Sequence, residues 1–390
     1  MALRFHDRTL DAPSILRDGT HRAATLAATW RRFAPAVKRA GITRIAELTG
    51  LDTLGVPVFA AIRPMGRSLS TQQGKGVTRE AARISALMES LETWSAEHLA
   101  LPVVRASAKA LGPRAVDVRA LPRPRGRLDR DARWRWIEGW DLIGERPVLV
   151  PEQAVTLDTT FTTPPVFDIS SNGLASGNVL VEAIVHGLCE VIERDAEAAW
   201  RRAGGDRRLV LDTITDPICR GLIDRITATG ARVFVWDLGG MIPVIGCAIM
   251  EDPREPSWRA LGFYQGFGAH LVPEVAIARA ITEAAQTRLT YIAGGRDDFF
   301  AFDYARATDP ELLADLWERL AAPCDDPAVF EDLPRRPTRG LGEDLEALVE
   351  LVATHGAGQV IAVELTHAEL EVPVVKVLVP GLATDVEAMG

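Results

Sequence analysis

Four cysteines in 390 residues is a small number, and their placement excludes more than the count does. Cys189, Cys219, Cys247 and Cys324 form no CxxC pair, which argues against a structural zinc site or a disulfide framework and leaves core or incidental thiols. Cys189 lies inside a helical stretch with no base beside it to activate it. No apolar run is long enough to cross a bilayer. The opening MALRFHDRTLDAPS has neither an apolar signal core nor a small-residue cleavage site, so the chain reads as cytoplasmic. Basic charge is also short: a formal net charge of -9 argues against a general nucleic-acid binder. Low-complexity tracts and short-period repeats are missing. What is present is 47% hydrophobic content, ample for a packed core without staples.

Helical spacing predicts helices over 22–39, with a break at Pro35 and a stop at Gly41, and over 78–98, 179–200, 217–229, 273–292 and 342–355. Strands are expected over 56–62, 233–237, 243–250, 359–365 and 372–379, with a hairpin of 134–141 and 147–150 turning at Gly144. The Arg- and Pro-rich 112–131 reads as a solvated surface connection, and 323–337 as a second loop. Long helices among short β runs favour one α/β or α+β domain. Its expected limits are residues 19–382, after an N-terminal segment over 1–18 and before a short tail over 383–390.

The 179–200 helix follows a glycine-rich loop, 172–178 (NGLASGN), and carries Glu182, Glu190 and Glu193 where neutral residues would cost less. Glu190 and Glu193 lie one turn apart, and like charges at that spacing repel by roughly a few tenths of a kcal/mol unless a cation sits between them. One such pair alone usually means a solvated face. An internal echo argues for more. At an offset of 101 residues, without gaps, Gly76 falls on Gly177, Leu87 on Leu188, Glu89 on Glu190 and Glu92 on Glu193. Glu89 and Glu92 share their helix with Ile84, Leu87, Met88 and Leu91, so the acidic face is narrow. A third glycine-rich entry, 262–270, precedes Glu283 and Gln286. The pattern implies two related halves with four carboxylates converging between them.

Converging carboxylates must be answered by raised pKa values, arginines or metal. Magnesium and calcium take oxygen ligands, whereas zinc would want His or Cys, and magnesium usually completes its shell with water and phosphates. A nucleotide is the natural companion. Helix N-termini behind 74–76 and 175–178 would offer N–H groups to phosphates, with Lys75 and Arg194 as neutralising cations. The GKG at 74–76 is not a P-loop, because Leu69 stands where the first glycine would be and Gly76 follows the lysine. His21, His186 and His270 read as structural.

Ser85-x3-Glu89-x2-Glu92, then Asn178-x3-Glu182-x7-Glu190-x2-Glu193-Arg194, then Glu283-x2-Gln286, each behind a glycine-rich entry, resemble the YcaO family. Supporting stretches are GITRIAELTGLDTLGVPV, STQQGKG, SNGLASGN and VPEVAIARAITEAAQTR, and the resemblance runs from about Gly19 to Gly381. It implies an ATP site in which carboxylates from paired helices hold Mg2+ on the triphosphate. By position, Glu89, Glu92, Glu190, Glu193 and Glu283 look like the metal-holding set. Lys75, Ser85, Asn178, Glu182, Arg194 and Gln286 look like nucleotide contacts.

Members of the family phosphorylate a peptide-bond oxygen; a nucleophile then adds to the carbon and phosphate leaves. A neighbouring Cys, Ser or Thr gives an azoline ring, and an external sulfide source gives a backbone thioamide. Azoline-forming members often end in a proline-rich tail, whereas this chain ends on 379–390 (VPGLATDVEAMG), which favours the thioamide branch. The resemblance thus implies a peptide or protein substrate and a separate TfuA-type partner for sulfur delivery. Nucleic acid and membrane are not expected as partners, and a homodimer is left open. A non-catalytic nucleotide-binding subunit is the competing expectation. Thr93 stands where Arg194 has its counterpart, so the two halves are not equivalent.

Overall fold

The computed structural model describes residues 2–16, 19–123, 128–160, 165–255, 258–259 and 261–383. A short ribbon, β1 (Arg4–Phe5) and β2 (Arg8–Thr9), precedes α1 (Leu26–Phe33) and α2 (Ala36–Arg39), which part at Ala34-Pro35. An antiparallel meander of β3 (Arg44–Glu47), β4 (Val58–Ile62) and β5 (Thr71–Lys75) runs into α3 (Arg79–Glu97). Then come β6 (Val104–Ser107), the one-turn α4 (Ala108–Leu111), and a hairpin of β7 (Arg133–Asp141) and β8 (Arg146–Pro151). The short β9 (Leu174–Ser176) feeds α5 (Leu180–Ala203), and α6 (Pro217–Thr227) follows. A second meander, β10 (Arg232–Asp237), β11 (Val244–Met250) and β12 (Tyr264–Ala269), runs into α7 (Pro273–Ala293). The chain closes through α8 (Ala301–Ala307), α9 (Pro310–Ala321), α10 (Leu341–Thr354), β13 (Ile361–Glu364) and β14 (Val374–Leu378).

A third, larger antiparallel sheet has the order β6-β7-β13-β14-β9, with β8 on the other side of β7. The expected α/β (α+β) mixture is what forms, and its sheets are open rather than closed into barrels. No described helix is long and apolar enough to cross a membrane. The first residues are not set apart: Phe5 and Leu10 are buried in the core that α5 shares with α10 and β14.

The glycine-rich entries differ from the loops expected of them. Each contains a strand, and the glycines serve helix packing. A Cβ on Gly74 of β5 would stand 1.9 Å from the Ala86 nitrogen of α3, and one on Gly266 of β12 would stand 2.2 Å from the Ala284 nitrogen of α7. Gly76 and Gly177 echo each other here too, their would-be Cβ atoms meeting the nitrogens of Ala82 and Ala183 at 2.7 and 2.8 Å. Only a bare backbone lets each helix lie this close to its strand. The architecture adds a third unit to the two-half repeat, because α7 sits on its meander as α3 does on the first. Gly204 and Gly294, both at positive φ, end α5 and α7.

Candidate functional site

The acidic positions of α3, α5 and α7 face one another. Lys75, at the end of β5, forms an ion pair with Glu283 of α7. Arg194 of α5 places Nη2 3.8 Å from Glu193 Oε1 and 3.9 Å from Glu283 Oε1. Burial pushes Glu89 up to about 7 despite the nearby Lys75 and Arg296. Burial and the charges of Glu89 and Glu190 hold Glu92 well above the usual range, although the Ser176 hydroxyl and backbone N–H donate to it. Glu190 is raised by burial against the pull of Arg194 and Lys376, and Glu193 is pushed up to about 7 by burial and the charge of Glu283. Only Glu283 runs the other way: burial opposes its ionisation, but Lys75 and Arg194 outweigh that and lower it. Five carboxylates from three helices therefore form one electrostatic unit.

A second group lies at the start of α5. Asn178 Nδ2 donates to Glu182 at 3.2 and 3.3 Å, Thr29 Oγ1 donates to Asn178 Oδ1, and Arg22 Nη1 and the Ala23 nitrogen donate to Glu182. Arg22 also feels the charge of Glu92, which links the two groups. Ser85 and Gln286 are half-buried, each about one turn from Glu89 and Glu283 on their own helices. The eleven candidate positions thus fall into one carboxylate unit with Lys75 and Arg194, one node of Asn178 and Glu182, and two flanking residues.

The N-terminus of α3 does not meet the carboxylates. Glu89 lies eleven residues along from the cap residue Thr78, about 16 Å at 1.5 Å per residue. Thr78 itself caps Ala81, and Arg79 and Glu80 are exposed. A phosphate on the acidic unit is out of reach of the α3 terminus, so side-chain cations must answer it on that side, while the Ser176 backbone N–H just ahead of α5 meets Glu92.

Several of those cations are absent from the sequence motifs. Arg279, one turn before Glu283, acts on Glu190, Glu193 and Glu283 and has a buried Nε with no hydrogen-bond partner. Lys376, in the middle of β14, is buried, donates to the Ser170 carbonyl, and is pulled down to about 8 by burial against the charges of Glu190 and Glu92. A lone lysine within VVKVL is a readable signal, because buried strands seldom carry an unanswered charge. Arg22 had no such signal; tertiary folding brings it to Glu182 across 160 positions. Burial raises the thiols of Cys189, Cys219 and Cys247, Cys189 to about 12.

The donor set fits Mg2+. The buried Glu193 Oε2 has no hydrogen-bond partner, a costly state for an acceptor that a cation would relieve. Among the described residues, no three His, Cys, Asp or Glu side chains are close enough to hold one ion by themselves. Oxygen ligands too sparse for a closed cage suit a metal that keeps water and phosphate in its shell.

Residues 73–383 match the family model of the YcaO cyclodehydratases, which is described as ATP- and Mg2+-binding. The chain belongs to the YcaO family. A protein of Methanothermobacter thermautotrophicus is 36% identical over 376 residues, 93% of this chain and 96% of its own. A protein of Rhizobium leguminosarum bv. trifolii, in a tfuA 3' region, is 35% identical over 386 residues, 94% of this chain and 89% of its own. Among solved structures, YcaO from Methanopyrus kandleri bound with AMPPCP and Mg2+ superposes with a TM-score of 0.75 at 28% identity, over 95% of both chains. A heterocyclase in complex with substrate and cofactor shares the YcaO fold at a TM-score of 0.80, over 98% of this chain and 55% of its own.

Proposed function

We propose that this YcaO protein uses ATP and Mg2+ to phosphorylate a backbone amide oxygen of a peptide or protein, and that sulfur then replaces the oxygen to leave a thioamide. The observation that carries the ATP site is the unit of half-buried Glu89, Glu92, Glu190 and Glu283 around the buried Glu193, with one acceptor unanswered. Those five would hold Mg2+, which when bound would clamp the phosphates and offset their charge. Arg194, Lys75 and Arg279 supply fixed positive charge where the phosphoryl group transfers. Asn178, Glu182 and Arg22 receive the nucleoside end, with Ser85 and Gln286 bordering the site.

In this reading the amide oxygen attacks the γ-phosphorus and ADP departs. Sulfide adds to the activated carbon, and phosphate leaves with the original oxygen. The protein's side chains position and neutralise; none serves as a covalent nucleophile. The thioamide branch is supported by the relative encoded beside tfuA, and a TfuA-like protein is the proposed sulfur-delivery partner. The family model's cyclodehydratase description favours a second reading, azoline formation from Cys, Ser or Thr.

Mass spectrometry of candidate peptides incubated with the enzyme, partner, Mg-ATP and sulfide separates the two. A gain equal to the difference between sulfur and oxygen is the expected result. Loss of one water would establish ring formation instead. Unmodified peptide and tight Mg-ATP binding without phosphate release would leave a nucleotide-binding subunit.

A further inference from the structure

Beyond the carboxylate unit, α5 carries a chain of alternating charge that the family motifs leave out. Glu197, 8% exposed, accepts from Arg194 Nη1 at 2.7 Å on one oxygen. Its other oxygen accepts from Arg201 Nε and Nη2 at 3.0 and 2.8 Å. The Arg201 guanidinium in turn lies 5.6 Å from the ring centre of Phe267 on β12. These residues are spaced at i, i+3 and i, i+4, the spacings that meet on one helix face.

The geometry points to Glu197 as the positioning residue for Arg194. An arginine with a free side chain among Glu193, Glu283 and Glu190 would settle on whichever carboxylate is nearest. Glu197 holds Nη1 by a short charge-assisted bond, so Nη2 alone is turned toward Glu193 and Glu283, standing off at 3.8 and 3.9 Å rather than in direct contact. That stand-off leaves donor capacity on Arg194 for an incoming phosphoryl oxygen. Arg201 holds the other oxygen of Glu197 from behind and balances its charge without drawing Arg194 away from the site. The inference rests on the proposed ATP site and goes beyond it: a residue that touches neither nucleotide nor metal sets the reach of one that does.

Its effect belongs to the transition state, where charge on the transferring group must be met at a fixed distance. The test compares the wild type with Glu197→Gln and Arg201→Met in binding two probes by calorimetry: Mg-ADP, and Mg-ADP with aluminium fluoride as a mimic of the transferring phosphoryl group. Glu197→Gln is expected to bind Mg-ADP within about threefold of wild type and the aluminium fluoride complex roughly 10- to 100-fold more weakly. Glu197→Gln in an Arg194→Lys background should add little, because the residue to be positioned is gone. Arg201→Met should fall between wild type and Glu197→Gln.

Equal loss for both probes, in step with a lowered melting temperature, would mean that Glu197 is merely structural and would overturn the inference. So would unchanged binding of the aluminium fluoride complex. Failure of the wild type to bind Mg-ADP at all would instead strike the ATP-site reading.

Discussion

Lys75 and Glu283, 208 positions apart, form an ion pair that closes the acidic unit between the first meander and α7. The pair is only partly shielded, at 22% and 21% side-chain exposure. It gives the acidic unit one of its internal cations, beside Arg194, Arg279 and Lys376. Removing it has opposite consequences for two ligands. Lys75→Met should bind Mg2+ alone more tightly than wild type, because the carboxylate unit loses a competing charge, yet bind Mg-ATP more weakly, because a phosphate partner is lost. Calorimetric titration with each ligand checks this, and a loss of both affinities together would contradict it.

Neutralising one member of a crowded acidic unit should trade function for stability. Glu193 is buried, its Oε2 is unpartnered, and burial with the charge of Glu283 disfavours its ionisation. Glu193→Gln is expected to raise the melting temperature by roughly 2 °C or more and to weaken Mg-AMPPCP binding by about 100-fold. Scanning calorimetry and nucleotide titration on the same preparation test both halves. A less stable variant would mean that Glu193 is already well compensated.

The pH dependence follows from Glu89 and Glu193, both pushed up to about 7 from an ordinary 4.5. Between those values the folded protein holds protons that the unfolded chain has released. Stability without ligand should therefore be fully present below about pH 4.5 and fall as pH rises through 7, as far as these two groups are concerned. Mg-nucleotide binding requires the ionised carboxylates, so affinity should rise over the same window and level off above it, with protons released on binding. Titrations in buffers of different ionisation enthalpy measure that release. A pH-independent affinity between 5 and 8, on the order of three pH units, would show that these carboxylates do not meet the ligand.

The packing glycines carry their own expectation. A Cβ at Gly266 would meet only backbone, at 2.2 Å from Ala284 N, 2.6 Å from Ala280 O and 2.6 Å from Glu283 C. Gly266→Ala should destabilise the protein by about 3 kcal/mol and shift Glu283, seen as a lower denaturation midpoint and weaker Mg-AMPPCP binding. Were this glycine part of a phosphate loop, stability would stay near wild type while binding alone was lost.

Much of this was legible in one dimension. The long helices and half of the strands follow from hydrophobic period, and the order of Glu89, Glu92, Glu190, Glu193, Arg194 and Glu283 resembles a family to which the chain does belong. Other features were not. The strands β5, β9 and β12 hide under glycine, because the sequence shows low β preference where the structure needs a bare backbone beneath a helix. No local pattern announces α8 and α9, which lie in 301–321, where no element is expected.

What the sequence by itself determined, then, is the set of acidic helices and their spacing, since helical period alone puts Glu190 and Glu193, or Glu89 and Glu92, on a shared face. Only the tertiary structure decided which charges answer them. Arg22, Arg279 and Lys376 reach the site from an N-terminal loop, a third helix and a central strand, and Coulomb energy depends on distance through space, which sequence separation does not encode. The same holds for Arg194. Its place beside Glu193 is written in the chain, but its stand-off from Glu193 and Glu283 is set by Glu197 one turn away and by α7 across the site.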